Sequence, residues 1–183
     1  MSSGVMATDL ARQAEVATER LLLRPLRMSD AGLIAHYTAD RRVAEGTRSI
    51  PHPLPPGAAE AFVNRAMSPE RDEDVWAIDG SANRLAELLG VVSLTRMEAG
   101  QSELGFWIGA GFWNTGFATE AVAALVAANP HNSRTLFAEA FQDNPGSARV
   151  LTNSGFEYLG DAESWSVARN ARVPTWTYLR KIG

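Results

Sequence analysis

Apolar and polar positions divide the chain into short extended runs and amphipathic segments that follow one another from about residue 18 to residue 181. Residues 18–26, Thr-Glu-Arg-Leu-Leu-Leu-Arg-Pro-Leu, predict a strand, and Ser29-Asp30 then predict the cap of a helix reaching about Ala39, with Leu33, Ile34 and Tyr37 on one face. The pattern dissolves over residues 41–56, which carry charge, glycine and four prolines, and it resumes as a helix over residues 58–67. Residues 75–79 and 85–95 predict two strands joined by a turn at residues 80–83, and residues 101–108 a third, together an antiparallel meander. An alanine- and valine-rich run with a period of 3.6 predicts a helix over residues 118–128, and residues 134–141 alternate with a period of 2. A strand reached through a helical crossover lies parallel to the one before the helix, so residues 134–141 are expected to pair in parallel with residues 101–108. Asn144 at the N-cap, Pro145 at the first helical position and Gly155 just beyond the end frame a helix to about Ser154. Residues 156–159 and 175–180 complete the chain as two strands flanking a polar hairpin of about 15 residues.

Within this pattern, residues 103–122 compress a strand, a turn punctuated by Gly109, Gly111 and Gly116, and a helix into very few residues. Free backbone N–H groups at such a helix start, approached by a turn without bulky side chains, form a seat for an anion. Length and composition bound the rest. With 183 residues, 45% apolar and 21% charged, the chain fits one domain over residues 18–183, preceded by an N-terminal arm over residues 1–17. A formal charge of -4 argues against a broad nucleic-acid footprint. With no cysteine there is no disulfide, thiol nucleophile or thiolate zinc site, which fits the cytoplasm. His36, His52 and His131 stand isolated in sequence, so no metal is expected. No apolar run approaches the length of a membrane span, and residues 1–16 lack the apolar stretch of a signal peptide.

The residues carry a resemblance. The run from Trp113 to Ala118, Trp-Asn-Thr-Gly-Phe-Ala, resembles the pyrophosphate loop of the GNAT acetyltransferases, in the form found in the branch of ribosomal-protein N-terminal acetyltransferases. The block from Asn144 to Phe156, Asn-Pro-Gly-Ser-Ala-Arg-Val-Leu-Thr-Asn-Ser-Gly-Phe, is similar in length and residues to a second block of that branch. The resemblance implies an α/β fold of GNAT type: a mixed, mostly antiparallel sheet of six or seven strands with about four helices, splayed at a central parallel pair. It also implies an N-acetyltransferase that uses acetyl-CoA as co-substrate and an amine acceptor, either a protein N-terminus or a small molecule. A homodimer is a family expectation; no nucleic acid, membrane or metal is expected as partner.

Acetyl transfer from a thioester to an amine requires a deprotonated amine, polarisation of the thioester carbonyl and a proton for the departing thiolate. By resemblance, a backbone N–H at a bulge of the strand around Phe106, Trp107 and Ile108 supplies the polarisation, and Glu103 acts as base, directly or through water. On a strand Glu103, Gly105 and Trp107 share one face, and a solvated charge or an arginine partner is the plain alternative for Glu103. Seven residues after Asn144, where many GNAT enzymes carry a tyrosine acid, stands Leu151; Ser147 is the nearest hydroxyl and the candidate group at the sulfur. The cofactor is expected along Phe106, Trp107, Ile108, Gly111, Trp113, Asn114, Thr115, Gly116, Phe117, Ala118, Thr119, Asn144 and Ser147. No Lys or Arg falls between Gly105 and Val122, so diphosphate would rest on backbone N–H groups and the helix dipole, with Arg149 as an electrostatic helper. The loop of residues 41–56 offers Arg42, Glu45, Arg48 and His52, with Trp107, as acceptor contacts. A non-catalytic acyl-CoA-binding or regulatory module of the same fold is the alternative that the missing tyrosine and the uncharged loop leave open.

Overall fold

The computed structural model describes residues 13–98 and 100–182. Eight strands form one mixed sheet: β1 (Val16–Ala17), β2 (Leu22–Pro25), β3 (Glu73–Asp79), β4 (Gly90–Arg96), β5 (Gln101–Ile108), β6 (Thr135–Phe141), β7 (Glu157–Ser166) and β8 (Ala171–Lys181). Their order across the sheet is β1-β2-β3-β4-β5-β6-β8-β7, and every pair is antiparallel except β5–β6. Five helices accompany it: α1 (Ala31–Thr38), α2 (Arg41–Glu45), α3 (Ala58–Met67), α4 (Phe117–Ala128) and α5 (Pro145–Asn153).

The expected α/β architecture with its parallel pair is therefore present, with eight strands where six or seven were expected. The additional strand is β1, whose two residues are too few to leave a periodic trace. Of the arm expected over residues 1–17, residues 1–12 lie outside the described residues. Gln13 donates to the Val75 carbonyl (2.7 Å) and the Trp76 indole N–H to the Ala14 carbonyl (2.7 Å). A fifth helix, α2, lies inside the stretch read as loop, its start capped by the Asp40 carboxylate accepting the Arg42 N–H at 2.9 Å. Residues 85–89, expected in a strand, instead form the connection into β4, with Leu88 and Leu89 fully buried. Strand β4 begins where a side chain becomes impossible: a Cβ on Gly90 would lie 2.2 Å from the Trp107 carbonyl oxygen. The long polar hairpin expected near the C-terminus is mostly strand, because its exposed residues pair β7 with β8 over nine registered positions at the edge of the sheet.

Period-2 alternation sends opposite sets of each strand to the two faces. Trp76, Ile78, Val92, Leu94, Leu104, Ile108 and Leu136 pack against Ala121, Val122 and Leu125 of α4 and Leu151 of α5. Val75, Ala77 and Val91 pack on the other face against Ile34 of α1 and Ala59 and Val63 of α3. Two buried ionic networks fasten this scaffold. Arg24 donates to Asp79 (2.8 Å), to both oxygens of Asp30 (3.0 and 2.9 Å) and to the Glu87 carbonyl (2.9 Å). Asp30 also accepts the Arg27 N–H (2.9 Å), which ties the start of α1 to β2 and β3.

The second network centres on Asp74, which receives Arg71 (2.8 Å), Arg96 (2.9 Å) and His131 Nε2 (2.7 Å), while His131 Nδ1 meets Ser102 Oγ at 2.9 Å. Serine, histidine and aspartate thus stand in line, but Ser102 is 1% exposed and its hydroxyl also meets Ser133 at 2.9 Å. Neither of the cavities described below reaches it. It is a structural bridge between β3, β5 and the turn that follows α4. Burial opposes ionisation of Asp74, yet the hydrogen bond from His131 and the charges of Arg96 and Arg71 outweigh it and bring its pKa down to about 2. A depressed carboxylate stabilises the fold above its unfolded pKa, near 3.8, and loses that contribution as pH falls toward its folded value. Asp74→Asn is expected to cost about 2 kcal/mol at about pH 7. In urea unfolding, the gap to wild type should narrow as the pH is lowered from about 5 to about 3.

Candidate active site

The site begins where the parallel pair ends. Strands β5 and β6 are in register at only three positions, Gln101 with Thr135, Ser102 with Leu136 and Glu103 with Phe137. Beyond Glu103, β5 stays paired with β4 as far as Ile108, while β6 stays paired with β8 as far as Phe141. The two strands therefore part, and the backbone groups of residues 104–108 that would have continued the ladder face a crevice. The expected bulge in β5 is absent: its register with β4 runs without a shift from Gly90 opposite Ile108 to Arg96 opposite Ser102. Divergence of β6, rather than a kink in β5, leaves donors free toward the crevice.

Two cavities meet there. A narrower cleft of about 460 Å³ runs between the end of β5, the start of α4 and α5. A larger cavity of about 760 Å³ lies on the face that also carries α1 and α3, bounded by the 46–54 loop and the β7–β8 hairpin. They share Gly46, Thr47, Phe106, Trp107 and Ser147.

At the narrower cleft, the turn before α4 positions the helix N-terminus. Asn114 and Gly116 both take positive φ (60° and 81°), which brings residues 114–119 around the helix start. Of the expected cofactor residues, Phe106, Trp107, Ile108, Trp113, Asn114, Thr115, Gly116, Ala118, Thr119, Asn144 and Ser147 line this cleft. Gly111 and Phe117 do not; Phe117 is turned into the core, with the Arg20 guanidinium 4.3 Å over its ring. The loop lacks a cation of its own, but Arg42 and Arg149 also line the cleft. Arg42 was expected among acceptor contacts. Its helix α2 instead places it at the narrower cleft and not at the larger cavity, with its guanidinium 5.5 Å over the Trp113 ring and bonded to Asp40 (3.1 and 2.7 Å). The fit to a phosphate-bearing ligand is therefore good: a helix N-terminus, a turn that exposes backbone N–H groups, and two arginines.

Asn144 starts α5 but does not cap it with its side chain. Its amide Nδ2 donates instead to Ser147 Oγ at 3.0 Å, which leaves the serine's own hydrogen free to point into the junction. Leu151, at the place of the missing tyrosine, is fully buried in the core.

The larger cavity collects Glu103, as the strand alternation predicted, together with Arg48. Arg48 pairs with Glu103 and lies 3.7 Å from Glu139 of β6. Glu103 thus faces the cavity and has an arginine partner. Glu45 and His52 line neither cavity. The Glu45 carboxylate pairs outward with Arg41 (3.4 Å), and its carbonyl accepts Arg169 (3.2 and 2.8 Å). Arg169 also binds Asp143, and the Val167 N–H donates to the Arg48 carbonyl (3.0 Å), so the β7–β8 hairpin is latched over the loop that carries Arg48. Sequence reasoning missed two carboxylates here, Glu73 and Glu139. Each sits on the same strand face as Glu103, and their spacing of two from Val75 and Phe137, which places them on one face, was the available signal. Burial raises the Glu73 pKa against the hydrogen bonds it accepts from Thr95 (3.2 Å) and Ser93 (3.4 Å). Among the described residues no group of histidines and carboxylates could hold a metal ion, and no helix is long and apolar enough to cross a membrane.

Known proteins share this fold. The chain is 24% identical over 172 residues to an uncharacterized N-acetyltransferase p20 of Bacillus licheniformis, covering 88% of this chain and 92% of that protein. It superposes on the microcin self-immunity acetyltransferase MccE, solved in complex with acetyl-CoA and AMP, with a TM-score of 0.78 at 16% identity, over 90% of this chain and 94% of that one. RimL, a ribosomal-protein α-N-acetyltransferase solved in complex with coenzyme A, superposes with a TM-score of 0.77 at 16% identity, over 92% and 98% of the two chains. The Acetyltransferase (GNAT) domain family matches residues 20–157, and with the splayed parallel pair and the helix-start loop in place, this chain belongs to the GNAT acetyltransferases.

Proposed function

We propose that this protein is an acetyl-CoA-dependent N-acetyltransferase that moves an acetyl group directly to a primary amine, a protein N-terminus or a small molecule. The observation that carries the reading is the junction of two cavities at Phe106, Trp107 and Ser147, between two strands that have parted. One ligand enters from the phosphate-binding side and the other from the carboxylate-lined side, and they meet where backbone N–H groups are free.

Acetyl-CoA supplies an activated acetyl group when bound. Backbone N–H groups at residues 114–119 and the α4 dipole receive its diphosphate, with Arg42 and Arg149 adding positive charge. The free edge of β5 offers hydrogen-bond donors to the thioester carbonyl, which stabilises the negative charge that develops on its oxygen. Glu103 accepts a proton from the incoming ammonium, directly or through a water, once Arg48 yields its place. The amine nitrogen then attacks the carbonyl carbon and the carbon–nitrogen bond forms; the nitrogen releases its second proton to water as the carbon–sulfur bond breaks. Ser147, whose oxygen already accepts a bond from Asn144, donates its hydrogen toward the departing sulfur. A serine is too weak an acid to be the final proton source, so it stabilises the thiolate until water protonates it.

Two outcomes follow for solution work. Steady-state assays at neutral pH should show Glu103→Gln lowering kcat by roughly 10² to 10⁴ with little change in the KM for acetyl-CoA. A variant within about threefold of wild type removes Glu103 as the base, and a wild type without transfer to any amine favours the non-catalytic acyl-CoA-binding module. Thermal melts should rise by several degrees with acetyl-CoA or CoA at about 100 times Kd, equivalent to about 2.7 kcal/mol, and remain unmoved by ATP. Arg42→Gln should weaken acetyl-CoA binding by roughly five- to tenfold in the same titration, and an unchanged affinity places the phosphates elsewhere.

A further inference from the structure

The charges around the larger cavity do not balance. Glu73, Glu103 and Glu139 face it, and its cations are Arg48 and Arg65. Arg48 serves Glu103 and Glu139. Arg65 is exposed and makes no ion pair among the described residues. Glu73 is different: no arginine, lysine or histidine among the described residues lies within ion-pair distance of it. Among the described residues its carboxylate accepts only the Thr95 and Ser93 hydroxyls, while Asp72 and Glu103 add to its negative surroundings. A half-buried carboxylate without a cation is costly, and at neutral pH it draws a cationic ligand to itself.

Sheet register fixes where that ligand charge would sit. Glu73 is opposite Thr95 on β4, and Thr95 is opposite Glu103 on β5, so the two glutamates lie on one face, two strand spacings or about 10 Å apart along a single line. The Glu103 end is next to the junction, and the Arg48 guanidinium shows that it accepts a cation. The Glu73 end lines the larger cavity alone and lies away from the narrower cleft.

Building on the acetyltransferase reading, we propose that the acceptor carries a second positive charge besides the amine that receives the acetyl group, and that Glu73 seats it. The acceptor is thus an amine with a second cationic centre, either a linear diamine or a peptide amine followed by a basic side chain. Arg48 holds the Glu103 end in the absence of acceptor and gives way to the ammonium.

The test uses matched pairs that differ in one charge: hexamethylenediamine against n-hexylamine, and Ala-Lys-Ala amide against Ala-Ala-Ala amide. Binding of each to the CoA-saturated protein is measured calorimetrically, which needs no turnover. At least one dicationic member should bind roughly tenfold more tightly than its partner to wild type, and which pair shows it identifies the source of the charge. In Glu73→Gln the preference should fall below about twofold, while Glu73→Asp, which keeps the charge, retains it. Because Glu73→Gln removes a charge that burial opposes, it should melt no lower than wild type, so a lost preference reflects charge rather than unfolding. Equal affinity within both pairs for wild type, or a preference that survives in Glu73→Gln, overturns the proposal. A preference that depends on Glu73 without any acetyl transfer upholds it and counts against the enzymatic reading instead; transfer to n-hexylamine with no charge preference does the reverse.

Discussion

Everything at this site depends on a ladder that stops early. Parallel strands continue pairing as long as their neighbours allow, and here β5 is held by β4 and β6 by β8 in long uninterrupted registers. The shared stretch is only three positions long, so the sheet opens while each strand remains fixed on its outer side. An opening of this kind costs unpaired backbone groups, and such groups persist when they face a ligand or water. The crevice is thus a property of the whole sheet. Single substitutions on its walls change what it binds more readily than whether it exists.

Charge is distributed around the opening in two halves. Positive groups gather on the narrower side, where the α4 dipole points and where Arg42 and Arg149 arrive from other elements. Negative groups gather on the larger side, on one face of three strands. Arg48 links the halves, since the loop that carries it forms part of both walls and its carbonyl is held by the β7–β8 hairpin. Opposite potentials on the two sides favour a polyanionic ligand in one and a cationic ligand in the other, and they oppose the reverse placement.

Ser147 sits at the boundary, and the part proposed for it rests on geometry rather than acidity. Asn144 anchors its oxygen, and the helix start fixes its Cα, so the hydroxyl hydrogen stays free to donate toward the junction. The buried Leu151 closes the alternative route that a tyrosine on the next turns would have offered. In the proposed reaction, proton delivery is the step for which this chain is least equipped, and the chemistry would lean on polarisation and approach.

Much of this could be read from the chain alone. The helices over Ala58–Met67 and Phe117–Ala128, the strand Gln101–Ile108 and the parallel crossover follow from local periodicity and the handedness of connections, which act over short stretches. Two spaced blocks identified the family, and with it the cleft, because glycine and asparagine at a helix start leave a signature in consecutive residues. What lay beyond sequence was cross-chain partnership. Nothing in residues 105–122 announces that Arg42, some seventy positions earlier in the chain, brings the missing cation to the cleft, and nothing near Glu73 announces that it lines up with Glu103 through Thr95. The extra helix and the long final hairpin were likewise hidden, since an aspartate cap and cross-strand pairing outweighed weak local propensity. Local pattern determined the elements; only the register of the folded sheet decided which charges would share a cavity, because that choice depends on distances through space that no spacing along the chain encodes.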